Sequence, residues 1–161
     1  MPSGLLPVPH RKQETPWTCL PVCVRMVLEF HGFPRSEGEI SNLLETTPLG
    51  TRSANVWALR RWGFHADREP LALARVEASL EGNLPVIALV WTRELPHWQT
   101  DDPHAVVVVG LTADSVYLND PAKDQAPLAC PRETFMAAWA RTANLAIVIA
   151  PPPAPESGRR P

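Results

Sequence analysis

Residues 13–32, QETPWTCLPVCVRMVLEFHG, join a polar stretch to an amphipathic segment, and this junction decides the predicted fold. Thr18 is placed to cap a helix that begins at Cys19 and runs to about Phe30. Apolar residues follow at helical spacing, and Gly32 provides a stop signal. The sequence therefore predicts an amphipathic helix with a cysteine at its first residue.

Four more helices and four short strands are predicted along the rest of the chain. The predicted helices cover residues 36–45, 53–62, 72–80 and 132–140, and the capping-box pattern SEGE opens the first of them. The predicted strands, rich in β-branched residues, cover residues 85–91, 105–109, 115–118 and 145–149. Most helices precede the strands, which predicts an α+β domain with an antiparallel sheet. The runs AVVVV and LAIVI are apolar on both faces and are expected to be central strands.

Length and composition indicate one globular domain. The chain has 161 residues, of which 45% are hydrophobic and 20% are charged, as is typical of a folded protein. Residues 10–150 are expected to form the domain. Residues 1–9 are expected to form an extended N-terminal arm, and the proline-rich residues 151–161 a disordered tail.

Charge and hydropathy disfavour several classes of partner. The formal net charge of −2 gives no basic surface for nucleic acid. No apolar run approaches the roughly 18 residues that a membrane span needs, and the N-terminus lacks the pattern of a signal peptide, so a cytoplasmic location is expected. Three cysteines, an odd number, favour free thiols over a disulfide framework. No cofactor is expected.

Cys19 is the strongest candidate for chemistry. The N–H groups and dipole of a helix N-terminus stabilise a thiolate, which is the form of cysteine that attacks a carbonyl carbon. Cys23 lies one helical turn further on and Cys130 lies just before another helix, so both are interpreted as core residues. The position at the start of the helix therefore makes Cys19, and not Cys23 or Cys130, the candidate nucleophile.

His104 is the best candidate for the base that such a nucleophile needs. It stands immediately before AVVVVG, at the mouth of a predicted central strand, where a rigid sheet can position a side chain. The other histidines have simpler interpretations, one as a helix-terminal residue (His31) and three as surface residues (His10, His65 and His97).

Asp120 and Gln13 complete the candidate site. Asp120 ends the strand that pairs with the His104 strand in a predicted hairpin, so its carboxylate can orient the imidazole. Gln13 lies six residues before Cys19, where its side-chain amide can donate to an oxyanion beside the Cys19 backbone N–H.

Four features of the sequence occur together, namely Gln13-x5-Cys19, the helix LPVCVRMVLEFHG, His104-AVVVVG and His104-x15-Asp120. In combination they resemble the bacterial double-glycine leader peptidases, which trim bacteriocin precursors. The resemblance spans about residues 10–145. It implies a papain-like α+β fold, with the cysteine on a helical half and the histidine and aspartate on an antiparallel sheet. The implied roles of nucleophile, general base, orienting carboxylate and oxyanion donor fall on Cys19, His104, Asp120 and Gln13.

Two features depart from the usual pattern of that family. Leu20 follows the nucleophile where the family usually has glycine, and this bulkier neighbour is expected to reshape the site. The commoner leader peptidases are fused to an ABC exporter, and this chain carries no transporter. The expected partners are therefore a peptide or protein substrate and a separate transporter.

Three alternatives stay open on the residues alone. A transglutaminase-like acyl transferase uses the same order of cysteine, histidine and aspartate. A catalytically silent papain-like module would bind peptides without cleaving them, although all four candidate positions are filled here. A metal site would use Cys19, Cys23 and a histidine, but structural zinc sites more often use C-x2-C with a second pair.

Overall fold

The structure, a computed structural model, describes residues 4–153. The helices are α1 (Cys19–Phe30), α2 (Glu37–Leu43), α3 (Leu73–Glu81) and α4 (Arg132–Ala140), with a 3-10 helix at Ser53–Trp62. The strands are β1 (His65–Pro70), β2 (Val86–Trp91), β3 (Pro103–Leu111), β4 (Ser115–Asn119), β5 (Leu128–Pro131) and β6 (Leu145–Ala150). The predicted α+β fold with an antiparallel sheet is confirmed.

The six strands form one antiparallel sheet in the order β1-β6-β2-β3-β4-β5. β3 and β6, which carry AVVVV and LAIVI, are internal strands, as predicted. Side chains of successive residues face opposite sides of a sheet. In β3, Val107 and Val109 pack into the core that includes α1, whereas Val106 and Val108 pack into a second core that includes α3 and α4. The run is apolar at every position because helices cover both faces.

β1 and β5 are not predicted by the sequence. β1 has the polar sequence HADREP and pairs with β6, at one edge of the sheet. β5 has four residues, LACP, and pairs with β4 at the other edge. Such short edge strands carry little hydrophobic pattern, because pairing with the neighbouring strand selects their conformation. Because β1 also precedes α3, helices and strands are more interleaved than predicted.

α1 begins and ends where the sequence predicts, and it packs against β3. The predicted capping by the Thr18 side chain is wrong, since its hydroxyl donates to the Thr15 carbonyl at 3.1 Å and bonds no N–H of the first turn. The capping box of Ser36 and Glu39 at the start of α2 is confirmed. Packing of α1 on β3 carries Cys19 to the mouth of the His104 strand.

Residues 4–9 of the predicted N-terminal arm lie against β3, and residues 1–3 lie outside the described residues. The Leu6 N–H donates to the Val109 carbonyl at 2.9 Å. Leu5 lies so close to Gly110 that a Cβ at that position would overlap the leucine side chain. The predicted tail, residues 151–161, lies outside the described residues from residue 154 onward.

Candidate active site

Cys19 lines a cleft of about 820 Å³ whose walls come from the N-terminal segment, the sheet and the loops between strands. The side chain is half-buried. The backbone N–H groups of Leu20 and Ala105 stabilise its thiolate and lower the pKa of the thiol. The side chain of Leu20 packs into the core under α1 and is 5% exposed, so the core accommodates its bulk.

His104 lies at the start of β3, opposite Val90 of β2, and is buried. Its Nε2 is 2.7 Å from Asp120 Oδ1, which leaves Nδ1 as the ring nitrogen available to Cys19. The His104 imidazole and the Cys19 thiol lie close enough that each shifts the pKa of the other. The structure therefore brings three of the predicted side chains together in the order Cys19, His104, Asp120.

Asp120 is fully buried, and its carboxylate accepts four hydrogen bonds. Oδ1 accepts from His104 Nε2 and from the Ala122 backbone N–H at 2.9 Å. Oδ2 accepts from His97 Nε2 and from Trp98 Nε1, both at 2.8 Å. Burial alone would raise the pKa of Asp120, but the bonds from both histidines, the charge of His104 and the bond from Trp98 hold it far below its usual range. The carboxylate is therefore ionised at neutral pH.

The contacts of His97 and Trp98 with Asp120 are missed by the sequence analysis. The interpretation of His97 as a surface residue is wrong, because its side chain is 16% exposed and bonds to Asp120. Trp98 also covers His104, with 4.8 Å between ring centroids and an edge-to-face arrangement. The sequence signal that could have revealed these contacts is the adjacent pair His97-Trp98 in the loop that leads into the His104 strand.

The electrostatics of the site favour a thiolate paired with an imidazolium. Burial alone would raise the pKa of the Cys19 thiol, but the hydrogen bond and charge of His104, with the N–H groups of Ala105 and Leu20, lower it below its ordinary value. Burial also opposes the charge on His104, yet Asp120 and Cys19 raise the pKa of His104 to about 9. The ion pair therefore persists up to a pH near 9 and is lost above it.

Gln13 lines the same cleft and is held in place at both its backbone and its side chain. Its backbone N–H donates to the Pro121 carbonyl at 2.7 Å, and its side-chain Nε2 donates to the Thr15 carbonyl at 2.7 Å. The next residue, Glu14, donates its N–H to the buried carboxylate of Glu37 at 3.2 Å. An amide nitrogen carries two hydrogens, so Nε2 has a second one for a ligand in the cleft.

Cys23 and Cys130 are fully buried. Burial raises the pKa of Cys23 well above its ordinary value and that of Cys130 to about 11. Both thiols are therefore protonated near neutral pH, and a protonated thiol is a poor nucleophile and a poor metal ligand. Within residues 4–153, no group of three or more His, Cys, Asp or Glu side chains is arranged to hold a metal ion.

Exposed apolar side chains form part of the rim of the cleft. Trp17 is 38% exposed, and Leu49 is 99% exposed at the tip of the turn 47–50. The hydroxyls of Thr46 and Thr51 are 2.7 Å apart and hold the base of that turn together. An open cleft with an apolar rim on a fixed turn suits an extended peptide.

Comparison with known proteins gives one family and a set of similar folds. The sequence matches the Peptidase C39 family over residues 8–154, and it matches no curated protein sequence with significance. A C39-like peptidase from Bacillus anthracis has 20% identity and a TM-score of 0.74, over 91% of this chain and 96% of that one.

Two further similar structures are peptidases of transporters. The peptidase domain of Streptococcus ComA, a bifunctional ABC transporter of a quorum-sensing pathway, has 22% identity and a TM-score of 0.73, over 89% of this chain and 98% of that one. A double-glycine-motif protease from an AMS/PCAT transporter, solved with the leader peptide, has 23% identity and a TM-score of 0.73, over 92% of this chain and 95% of that one. These similarities show a shared fold. In the part of this chain that the structure describes, no helix is long and apolar enough to cross a membrane.

Proposed function

Because the chain belongs to the Peptidase C39 family and is a cysteine-type peptidase, we propose that Cys19 is its nucleophile and His104 its general base and acid. This proposal rests on the placement of Cys19 and His104 together in the open cleft, with Asp120 Oδ1 2.7 Å from His104 Nε2. Asp120 stays ionised throughout and orients the imidazole through Nε2.

The proposed first step is acylation of the enzyme. The Cys19 thiolate attacks the carbonyl carbon of the scissile bond, and the carbonyl electron pair moves to oxygen as the C–S bond forms. The Cys19 backbone N–H and Gln13 Nε2 donate to this oxyanion. The C–N bond then breaks, the departing amine takes the proton from His104 Nδ1, and a thioester on Cys19 remains.

The proposed second step releases the product and restores the ion pair. Neutral His104 takes a proton from a water molecule, whose oxygen attacks the thioester carbonyl. The C–S bond breaks, leaving a carboxylic acid product, the Cys19 thiolate and the His104 imidazolium. An amine in place of water would give the transferase product, which differs in mass from the carboxylic acid and is therefore distinguished by mass spectrometry.

We propose a small precursor or leader peptide, cut after a pair of small residues, as the substrate. The apolar rim at Trp17 and Leu49 supports a peptide ligand. Support for the small residue pair comes from the similar fold of a double-glycine-motif protease that was solved with its leader peptide.

We also propose that the protein acts in the cytoplasm, on a precursor that a separate transporter then exports. The support is that two proteins of similar fold are peptidases of transporters. Co-purification of the full chain with a transporter from its own organism would test this part of the proposal.

A cleavage assay with paired peptides tests the substrate proposal. Peptides with a central Gly-Gly should be cut after the second glycine, and the same peptides with Leu-Leu should be cut about a hundredfold more slowly, because bulky side chains must enter the cleft beside Trp98 and Leu89. Mass spectrometry of the fragments gives the bond and the rate. Equal cleavage of both sets, or cleavage of the Leu-Leu peptides alone, would contradict the small-residue preference.

A further inference from the structure

His97 contacts the carboxylate that orients His104 but does not touch Cys19 or the cleft. Its Nε2 lies 2.8 Å from Asp120 Oδ2, and its side chain is 16% exposed. The mechanism given above makes no use of this residue. A second imidazole on the same buried carboxylate therefore needs an explanation.

The four hydrogen bonds to Asp120 are divided equally between its two oxygens. Oδ1 faces His104 and the Ala122 N–H, whereas Oδ2 faces His97 and Trp98. Rotation of the carboxylate would break bonds on both oxygens at once. The donors on Oδ2 therefore hold Oδ1 against His104. A hydrogen bond from an N–H to an ionised carboxylate is stronger than one between neutral groups, so these donors can fix the carboxylate.

The loop that carries His97 is anchored on both sides of it. Leu95 is buried in the second core, and its N–H donates to the Thr92 carbonyl at 3.0 Å. The buried hydroxyl of Thr92 donates to the Thr100 carbonyl at 2.7 Å. These contacts close the loop and direct His97 toward Asp120.

We infer that His97 is a positioning residue, whose N–H holds the Asp120 carboxylate in the orientation that keeps His104 charged and paired with Cys19. This inference rests on the proposed roles of Cys19 and His104. His97 contacts the Asp120 carboxylate, whose other oxygen faces the His104 imidazole, and the Lys123 ammonium lies 4.6 Å from the centroid of the adjacent Trp98 ring.

The test measures the rate at which iodoacetamide alkylates Cys19, which needs no knowledge of the substrate. Loss of the His97 N–H in His97→Leu should weaken the ion pair and slow alkylation about fivefold at about pH 6, the effect of one lost hydrogen bond. At about pH 10 the alkylation rates of wild type and His97→Leu should differ by less than about twofold, because most Cys19 thiols are then ionised without the imidazolium. His97→Gln keeps a neutral N–H donor and should restore the rate at the lower pH.

A matched control comes from a second histidine–aspartate pair. His65 Nε2 lies 2.9 Å from Asp67 Oδ1 on the exposed strand β1, so His65→Leu breaks a similar bond away from the cleft and should leave both rates unchanged. Thermal unfolding of each variant checks that the fold is intact.

Three results would overturn the inference. The first is a wild-type alkylation rate for His97→Leu at both pH values. The second is a decrease in its rate by the same factor at both pH values. The third is a failure of His97→Gln to restore the rate. If wild-type Cys19 instead reacts more slowly than Cys23 or Cys130, the assignment of the nucleophile itself fails, and this inference with it.

Discussion

Replacement of Cys19 by alanine is expected to lower peptide hydrolysis at least ~10⁴-fold, because it removes the sulfur that would form the thioester. The cleft should keep its shape, since the change removes only the sulfur of a half-buried side chain at the first residue of α1. Binding of a cleavable peptide should therefore stay within about threefold of wild type. Turnover is measured by mass spectrometry and binding by titration with a labelled peptide.

Cys23→Ala is the matched control, one turn further along the same helix. Cys23 is fully buried and lies outside the cleft, so its removal should cost stability by leaving a small cavity but should spare turnover. A Cys19→Ala protein that keeps more than about a tenth of wild-type activity would contradict the assignment of the nucleophile. A wild-type protein that binds many peptides and cleaves none would favour the silent binding module.

Replacement of His104 by alanine should be about as damaging as loss of Cys19. Without the imidazolium, the Cys19 thiolate loses the strongest of the interactions that lower its pKa, and the imidazole that would give a proton to the departing amine is gone. In the wild type, kcat/KM should fall as pH rises through about 9, where His104 loses its proton. The pH profile of the residual activity of His104→Ala should show no such decrease, or alkaline limb, near pH 9.

A double variant separates a catalytic unit from two independent contributions. Cys19→Ala combined with His104→Ala should be no slower than either single variant, because the two side chains act as one unit. His31→Ala is the control for loss of an imidazole, since His31 bonds to the Ile149 carbonyl away from the cleft. Losses that multiply in the double variant, or an unchanged alkaline limb in His104→Ala, would contradict the proposed pairing.

The sequence predicts α1, the internal strands and the meeting of His104 with Asp120 for the same physical reason. In each case the information is local. A helix start and an apolar stripe define α1, and the turn between β3 and β4 brings the ends of a hairpin together. The distance of 2.7 Å between His104 and Asp120 follows from that hairpin, although β3 is longer than the predicted strand.

The features that the sequence does not predict depend on contacts between distant segments. β1 is polar and becomes a strand only because β6 pairs with it. His97 reaches Asp120 because Leu95 and Thr92 close the loop between β2 and β3, and no local pattern encodes that path. Thr18 looks like a helix cap, but its hydroxyl satisfies the Thr15 carbonyl instead. Side-chain partners of this kind are chosen by the folded structure.

The site joins two parts of the chain that fold from different patterns. Gln13 belongs to the N-terminal segment and Cys19 to α1, whereas His104 belongs to β3 and Asp120 directly follows β4. Packing of α1 on β3 and the bond from the Gln13 N–H to the Pro121 carbonyl connect the two parts. The proposed joint action of the four predicted residues depends on this interface.

The most direct test of the central claim is the detection of an acyl group on Cys19 during turnover. Wild-type protein mixed with a cleavable peptide is quenched in acid, which preserves thioesters, and is mapped by mass spectrometry. The expected result is a protein heavier by the N-terminal fragment of the peptide, with the added mass on Cys19 and absent from the Cys19→Ala variant. Turnover with the acyl group on a different residue, or with no acyl-enzyme at any quench time, would contradict the account.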